Sequence, residues 1–88
     1  MAGKPRYSDA EVHMNRAQKL LKESEGDPTI VDLSLVRRCL AKALRVSARF
    51  CSKDRAKVRR RVQRIRGQAD QYAIAAHIAH ARKELVRL

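Results

Sequence analysis

The sequence predicts a small all-α fold: a bundle of three helices, or four if the longest is broken, with a long C-terminal helix that is first basic and then alanine-rich. Two observations predict it. Apolar residues recur every three or four positions, and the strict alternation typical of β-strands is missing. With 88 residues and only two Tyr, one Phe and no Trp, the core must be built from small aliphatic side chains. A core this thin favours support from an oligomer or a bound partner.

The first helix is predicted over about residues 8–25, after a flexible tail at 1–7. Ser8 and Glu11 have the spacing of a capping box, in which each side chain accepts a backbone N–H of the other residue. Gly26 is placed to end the helix. The residues expected on its buried face are Ala10, Met14, Ala17, Leu20 and Leu21.

The second helix is predicted over 29–51, with Thr29 and Asp32 as a second N-terminal cap. Its apolar positions form one broad face. The central row of that face is Leu33, Val36, Leu40, Leu44, Ser47 and Cys51, flanked by Cys39, Ala43, Val46 and Phe50.

A turn is predicted at 52–54, where the heptad pattern slips by one position. Without a turn, one helix from 29 to 88 would be roughly 90 Å long, which does not suit a small domain. The third helix is then expected over about 54–87, and the helical domain over 8–88. Gly67 is expected to kink this helix; a close helix–helix approach and a break into a fourth helix are the alternatives. The expected inner positions are Val58, Val62, Ile65, Ala69, Tyr72, Ala76, Ala79, Lys83 and Val86.

The charge of the chain is concentrated in residues 37–66. This segment has thirteen Lys or Arg and one acid, Asp54, so it carries the whole net charge of +12, and the rest of the chain is balanced. Like charges at this density repel one another, and such a segment indicates a polyanionic partner. A surface that served only solubility would intersperse both signs.

We therefore predict that the protein binds nucleic acid and that its arginine-rich helix contacts the phosphates of DNA or RNA. The predicted role is regulatory and not catalytic. Arginine outnumbers lysine in this helix, which suits bidentate contacts with phosphate or guanine. The predicted binding residues are Arg45, Arg49, Arg55, Lys57, Arg59, Arg60, Arg61, Arg64 and Arg66.

Three other interpretations of the basic segment stay open. A helix-turn-helix fits in part, with Ala48 in its first helix, Ser52 at the turn and Val58 on the inner face, although Lys53 and Arg61 depart from the pattern. Binding to a membrane surface is disfavoured because bulky apolar residues and aromatics do not accompany the basic ones. The main alternative is a protein-interaction module, an adaptor or small inhibitor, that docks on an acidic surface or helix of a larger protein.

A second apolar stripe runs along the C-terminal half of the third helix, on the side opposite the first. Its members are Ile74, Ile78, Ala81, Leu85 and Leu88. A helix in a three-helix bundle needs one broad apolar face, so two faces predict that another chain, in the first instance a second copy, covers this stripe. The alternative is that the first helix folds over it.

Other chemistry is not indicated. Cys39 and Cys51 are expected to be small, buried and reduced, which fits a cytoplasmic protein. His77 and His80 lie three apart, but metal sites need three or four ligands, and no such cluster is present in the sequence. No activated nucleophile, phosphate-binding loop or acid–base pair emerges, and no membrane-spanning run exists. We expect no catalytic activity, cofactor or metal.

Overall fold

The fold is an all-α bundle of three helices, as the sequence predicts. A computed structural model describes the backbone of residues 6–87 and the side chains of 6–79 and 82. The helices are α1 (Tyr7–Glu23), α2 (Ile30–Ser47) and α3 (Ser52–Arg87), and residues 6–87 contain no strand. Most of the predicted tail, residues 1–5, lies outside the described residues.

Helix α1 begins one residue earlier than predicted and with a different cap. Arg6 is the N-cap residue, and its backbone N–H donates to Oδ2 of Asp9 at 2.8 Å. The predicted box of Ser8 and Glu11 is therefore wrong, because Ser8 is already inside the helix. The earlier start makes Tyr7 a helical residue with a fixed position beside α3.

The connection from α1 to α2 begins two residues earlier than predicted, because α1 ends at Glu23 and not at residue 25. After Ser24 caps α1, Glu25 and Gly26 adopt positive φ angles of 53° and 81°, a backbone conformation that suits glycine. The Thr29 cap is confirmed: the Asp32 N–H donates to Thr29 Oγ1 at 3.0 Å, and the Thr29 N–H donates to Asp32 Oδ2 at 3.0 Å.

The turn between α2 and α3 comes four residues earlier than predicted, at 48–51 instead of 52–54. The N–H groups of Ala48 and Arg49 donate to carbonyls three residues back at 3.4 Å, and that of Phe50 does so at 2.9 Å. This tightening closes the end of α2. Cys51 therefore lies in the turn and is exposed, which corrects its predicted burial, whereas Cys39 is buried as expected.

The core joins one face of each helix, and the short connections make α2 antiparallel to both α1 and α3. The buried apolar side chains are Ala10, Met14, Ala17, Leu21, Val36, Cys39, Leu40, Ala43, Phe50, Val58, Val62, Ile65 and Ala69. Each had been predicted to face inward. Partly buried side chains, Leu20, Leu33, Leu44, Val46 and Tyr72 among them, pack around this cluster.

Helix α3 is about twice as long as its neighbours and extends beyond them. Its 36 residues span about 54 Å at 1.5 Å per residue, and the molecule measures 63 × 21 × 16 Å. Among the described side chains, Tyr72 is the last of α3 to pack on the core and none beyond it is buried, so Ala76 and Ala79 do not join the core as predicted. The predicted inner positions Lys83 and Val86 lie outside the described side chains. The helix continues through Gly67, and a Cβ there would meet nothing within 4 Å, so glycine serves no close approach. The kink at Gly67 stays a prediction.

Candidate nucleic-acid interface

The predicted binding residues lie on α2, on the turn and on the first half of α3, and nearly all are open to solvent. Arg45 lies near the end of α2, Arg49 in the turn, and the other seven on α3. Eight of the nine are exposed, and Arg61 alone is partly buried.

Four cations share the outward face of α3. Lys53, Lys57, Arg60 and Arg64 follow at spacings of four, three and four, which places them in one row along a helix. All four are exposed, and this row lies opposite the buried face of Val58, Val62 and Ile65. We call it the α3 basic stripe; it covers about 16 Å of helix length.

The outward face of α2 carries a similar row toward the turn. Arg38, Lys42 and Arg45 are exposed. They lie on the side of α2 opposite the buried Val36, Leu40 and Ala43. On α3, Arg55, Arg59 and Arg66 occupy one flank of the helix, away from the flank of Arg61, and are exposed as well.

The positive charge of 37–66 is not neutralised within the described side chains. Of its thirteen cations, only Arg61 has a carboxylate oxygen of a described side chain within 4.0 Å. The other ion pair among the described side chains lies outside this segment and joins Lys19 and Glu23 on α1. Uncompensated, exposed arginines repel one another and gain from an external anion.

Arg61 has a different role from the one predicted. Its Nη2 donates to Asn15 Oδ1 at 2.6 Å and to Gln18 Oε1 at 2.5 Å, and its Nη1 lies 3.8 Å from Glu11 Oε2. Its side chain is only 23% exposed. Arg61 thus ties α3 to α1, and its guanidinium is already engaged. The sequence predicts Glu11 in a cap and Arg61 at the nucleic-acid surface, so this contact differs from both expectations.

A surface depression lies where the start of α1 meets the basic part of α3. It has a volume of about 320 Å³ and is lined by Tyr7, Lys57, Arg60, Arg61 and Arg64. The ammonium of Lys57 lies 4.9 Å from the centre of the Tyr7 ring, within the range of a cation–π contact. We call this the basic depression. The sequence predicts Tyr7 in the tail, so its place beside this depression was not expected.

The helix-turn-helix register is not met. Ala48, expected inside the first helix, is the C-cap of α2, and Ser52, expected in the turn, is the first residue of α3. The hairpin of α2 and α3 presents its basic residues without that motif.

The second apolar stripe lies on the part of α3 that extends past the bundle. Ile74 is 60% exposed and Ile78 is 48% exposed, so the alternative in which α1 covers them is wrong. The side chains of Ala81 and Leu85, and all of Leu88, lie outside the described residues.

A further apolar surface was not anticipated. Ile30, Val31 and Leu35 occupy the outward face of the first turns of α2, with exposures of 87%, 66% and 36%. Together with Ser34 and Arg38 they line a shallow depression of about 330 Å³. The sequence does carry a signal for this surface. Ile30 and Val31 are adjacent apolar residues directly after the Thr29 cap, about one helical turn from Leu35, and all three lie outside the predicted inner face of the helix. We call these three residues the α2 apolar patch.

The described side chains show no group of three or more His, Cys, Asp or Glu that could hold a metal ion. Over the same part of the chain, no helix has an apolar stretch long enough to cross a bilayer. Comparison with known proteins adds no relative: the chain matches no family model, no curated protein and no solved structure.

Proposed function

We propose that the protein binds nucleic acid, DNA or RNA, by contacting phosphates with the basic faces of α2 and α3, and that it acts without catalysis as a cytoplasmic regulator. One observation carries the proposal: twelve of the thirteen cations in 37–66 have no carboxylate within 4.0 Å among the described side chains. Two free cysteines are compatible with a reducing compartment.

The geometry of α3 supports a docking mode for this surface. Its first half buries a narrow arc, Val58, Val62 and Ile65, in the core. On the opposite side the cations of the α3 basic stripe are exposed, with Tyr7 of α1 as a neighbour of Lys57. An α-helix with its side chains is about 10–12 Å wide, and the major groove of B-DNA is about 12 Å wide. The α3 basic stripe would then face one groove, while Arg55, Arg59 and Arg66 lie toward a flanking phosphate row.

The test is binding at several salt concentrations. Duplex DNA, structured RNA and anionic vesicles are titrated with the protein by fluorescence anisotropy or light scattering between about 50 and 200 mM salt. A protein that contacts six to ten phosphates loses roughly 10³–10⁵ in affinity over this range. We expect sub-micromolar binding at low salt to one of the two nucleic acids, with this steep dependence. Weak or salt-insensitive binding to both would overturn the proposal.

A second candidate function is a protein-interaction module, and the exposed apolar residues favour it. Ile74 and Ile78 are exposed on the part of α3 that extends past the bundle, and the α2 apolar patch is a separate exposed cluster. Within this candidate we propose a homodimer through the second stripe. A dimer is also compatible with nucleic-acid binding, since it doubles the basic surface.

Ile78→Glu tests the dimer. The expected result is that the parent protein has twice the 10.1 kDa mass of the chain in light scattering at micromolar concentration, and that the variant has the mass of one chain. A carboxylate in an apolar interface loses its hydration, which disrupts association. Ala79→Glu is the control, because Ala79 is exposed and lies about 100° or more around the helix from every member of the second stripe. A monomeric parent would remove the dimer from the proposal.

A further inference from the structure

The basic depression is a defined concavity within a broader charged surface. Four basic side chains from one face of α3 converge on it, and Tyr7 from α1 closes its side. We propose that this depression is a binding pocket for a single phosphate group. The source of that phosphate, a nucleic-acid chain, rests on the proposed function, whereas the pocket itself does not.

Two of the cations are held in place before any ligand arrives. Arg61 is fixed by Asn15, Gln18 and Glu11 of α1, and Lys57 is held against the Tyr7 ring at 4.9 Å. Side chains that are already ordered lose less conformational entropy when a ligand binds. The pocket is therefore partly organised by the contact between α1 and α3.

The other two cations supply the contacts. Arg60 and Arg64 are exposed and have no acceptor or carboxylate partner among the described side chains, so their guanidinium donors are free for an anion. A guanidinium matches a phosphate with two parallel N–H donors. We assign Arg60 and Arg64 as direct phosphate ligands, Lys57 as a further point charge, and Arg61 as a positioning residue that holds the Tyr7 end of α1 against α3.

Charge and size both select a phosphate. Glu11 is the one carboxylate found within 4.0 Å of a lining cation among the described side chains, so four positive charges face one negative charge. A singly charged carboxylate ligand leaves more of this excess unneutralised than a phosphate does. The volume of about 320 Å³ is at the lower end of the range for small-molecule pockets, roughly 300–1,000 Å³. It suits a phosphate with an attached sugar, either at the end of a nucleic-acid chain or within it.

Tyr7 provides a direct readout. The chain has two tyrosines and no tryptophan, and Tyr72 is partly buried, with its hydroxyl accepting only from Gln68 Nε2 at 3.1 Å. In a Tyr72→Phe background, tyrosine fluorescence therefore comes from Tyr7 alone. Inorganic phosphate does not absorb in this range, so it is titrated directly, with sodium chloride at matched ionic strength as the reference.

We expect a saturable change in Tyr7 fluorescence with phosphate and none with chloride. Loss of one charged, bidentate ligand should weaken phosphate binding by about tenfold in Arg64→Gln. Arg82→Gln makes the same change on the same helix at an exposed position about 27 Å along its axis, and it should stay within about twofold of the parent. An unsaturable response, or equal effects of the two variants, would overturn the pocket.

Oligonucleotides then identify the source of the phosphate. A short strand with a 5′-phosphate and the same strand with a 5′-hydroxyl are compared by anisotropy in the parent and in Arg64→Gln. Tighter binding of the phosphorylated strand, lost in Arg64→Gln, assigns a terminal phosphate; equal binding of both strands, weakened in Arg64→Gln, assigns an internal one. Phosphate binding without nucleic-acid binding refutes the proposed function and keeps the pocket, and nucleic-acid binding without phosphate binding does the reverse.

Discussion

Neutralising the α3 basic stripe is expected to lower nucleic-acid affinity by about a hundredfold or more at 0.1 M salt. The variant carries glutamine at Lys53, Lys57, Arg60 and Arg64, all exposed on one helical face. If each contacts one phosphate, the slope of log affinity against log salt should become shallower by roughly 0.9 per residue, about 3.6 in all for B-DNA. The measurement is the same salt titration on parent and variant. Glutamine is a good helix former, so circular dichroism should show an unchanged helix content.

A second variant separates the stripe from net charge. Glutamine at Arg16, Lys19, Lys22 and Arg82 also lowers the net charge from +12 to +8, and all four side chains are exposed and outside the basic faces of 37–66. Diffuse attraction would weaken binding equally in both variants. A localised interface predicts that this control keeps its affinity within about threefold of the parent, because salt screens charges that lie far from the bound phosphates. Equal losses would refute the stripe as the interface.

The buried faces of the three helices could be predicted from the sequence because each depends on local periodicity. Met14, Leu40 and Ile65 recur with their neighbours at the helical spacing, and each is fully buried. The cap at Thr29 is equally local, because its partner Asp32 is three residues away. Patterns within one or two helical turns were sufficient for the fold class.

The turn at 48–51 could not be placed in the same way. It contains no Gly or Pro, and Ala48 itself has helical angles, φ −57° and ψ −25°. The polar run Ser52-Lys53-Asp54 has the composition of a turn but forms the first turn of α3, where small polar and acidic residues are also favoured. Composition alone does not distinguish a turn from the start of a helix, so the predicted boundary came too late and Cys51 was assigned to the core.

The details of the candidate site depend on contacts across the sequence. Arg61 meets Asn15 and Gln18 at separations of 46 and 43 residues, and Tyr7 meets Lys57 across 50 positions. Charge density located the basic region on the hairpin of α2 and α3. It did not distinguish the cation that holds the fold together from the cations that are free, because that difference is set by which flank of α3 faces α1.

Arg61→Gln is expected to lower the free energy of unfolding by about 1–2 kcal/mol, because two charge-assisted hydrogen bonds and an ion pair to α1 are lost. The partners are partly open to solvent, with 45% exposure at Glu11, and this keeps the cost below that of a fully buried pair. For a domain of this size, each kcal/mol corresponds to roughly 4–8 °C in Tm. Thermal unfolding followed by circular dichroism measures the change.

Arg60→Gln is the matched control for Arg61→Gln, since it removes the same charge from the adjacent, exposed position and should stay within about 0.5 kcal/mol of the parent. The order should be reversed in phosphate binding. Arg60→Gln removes a direct ligand and should weaken phosphate binding more than Arg61→Gln, because Arg61 acts through the position of α1. A double variant with Glu11→Gln isolates the ion pair: the cost of Arg61→Gln should be smaller when Glu11 is already neutral. Equal stability of Arg60→Gln and Arg61→Gln would show that the contact with α1 contributes nothing to the fold, and Arg61 would then return to the set of free cations on α3.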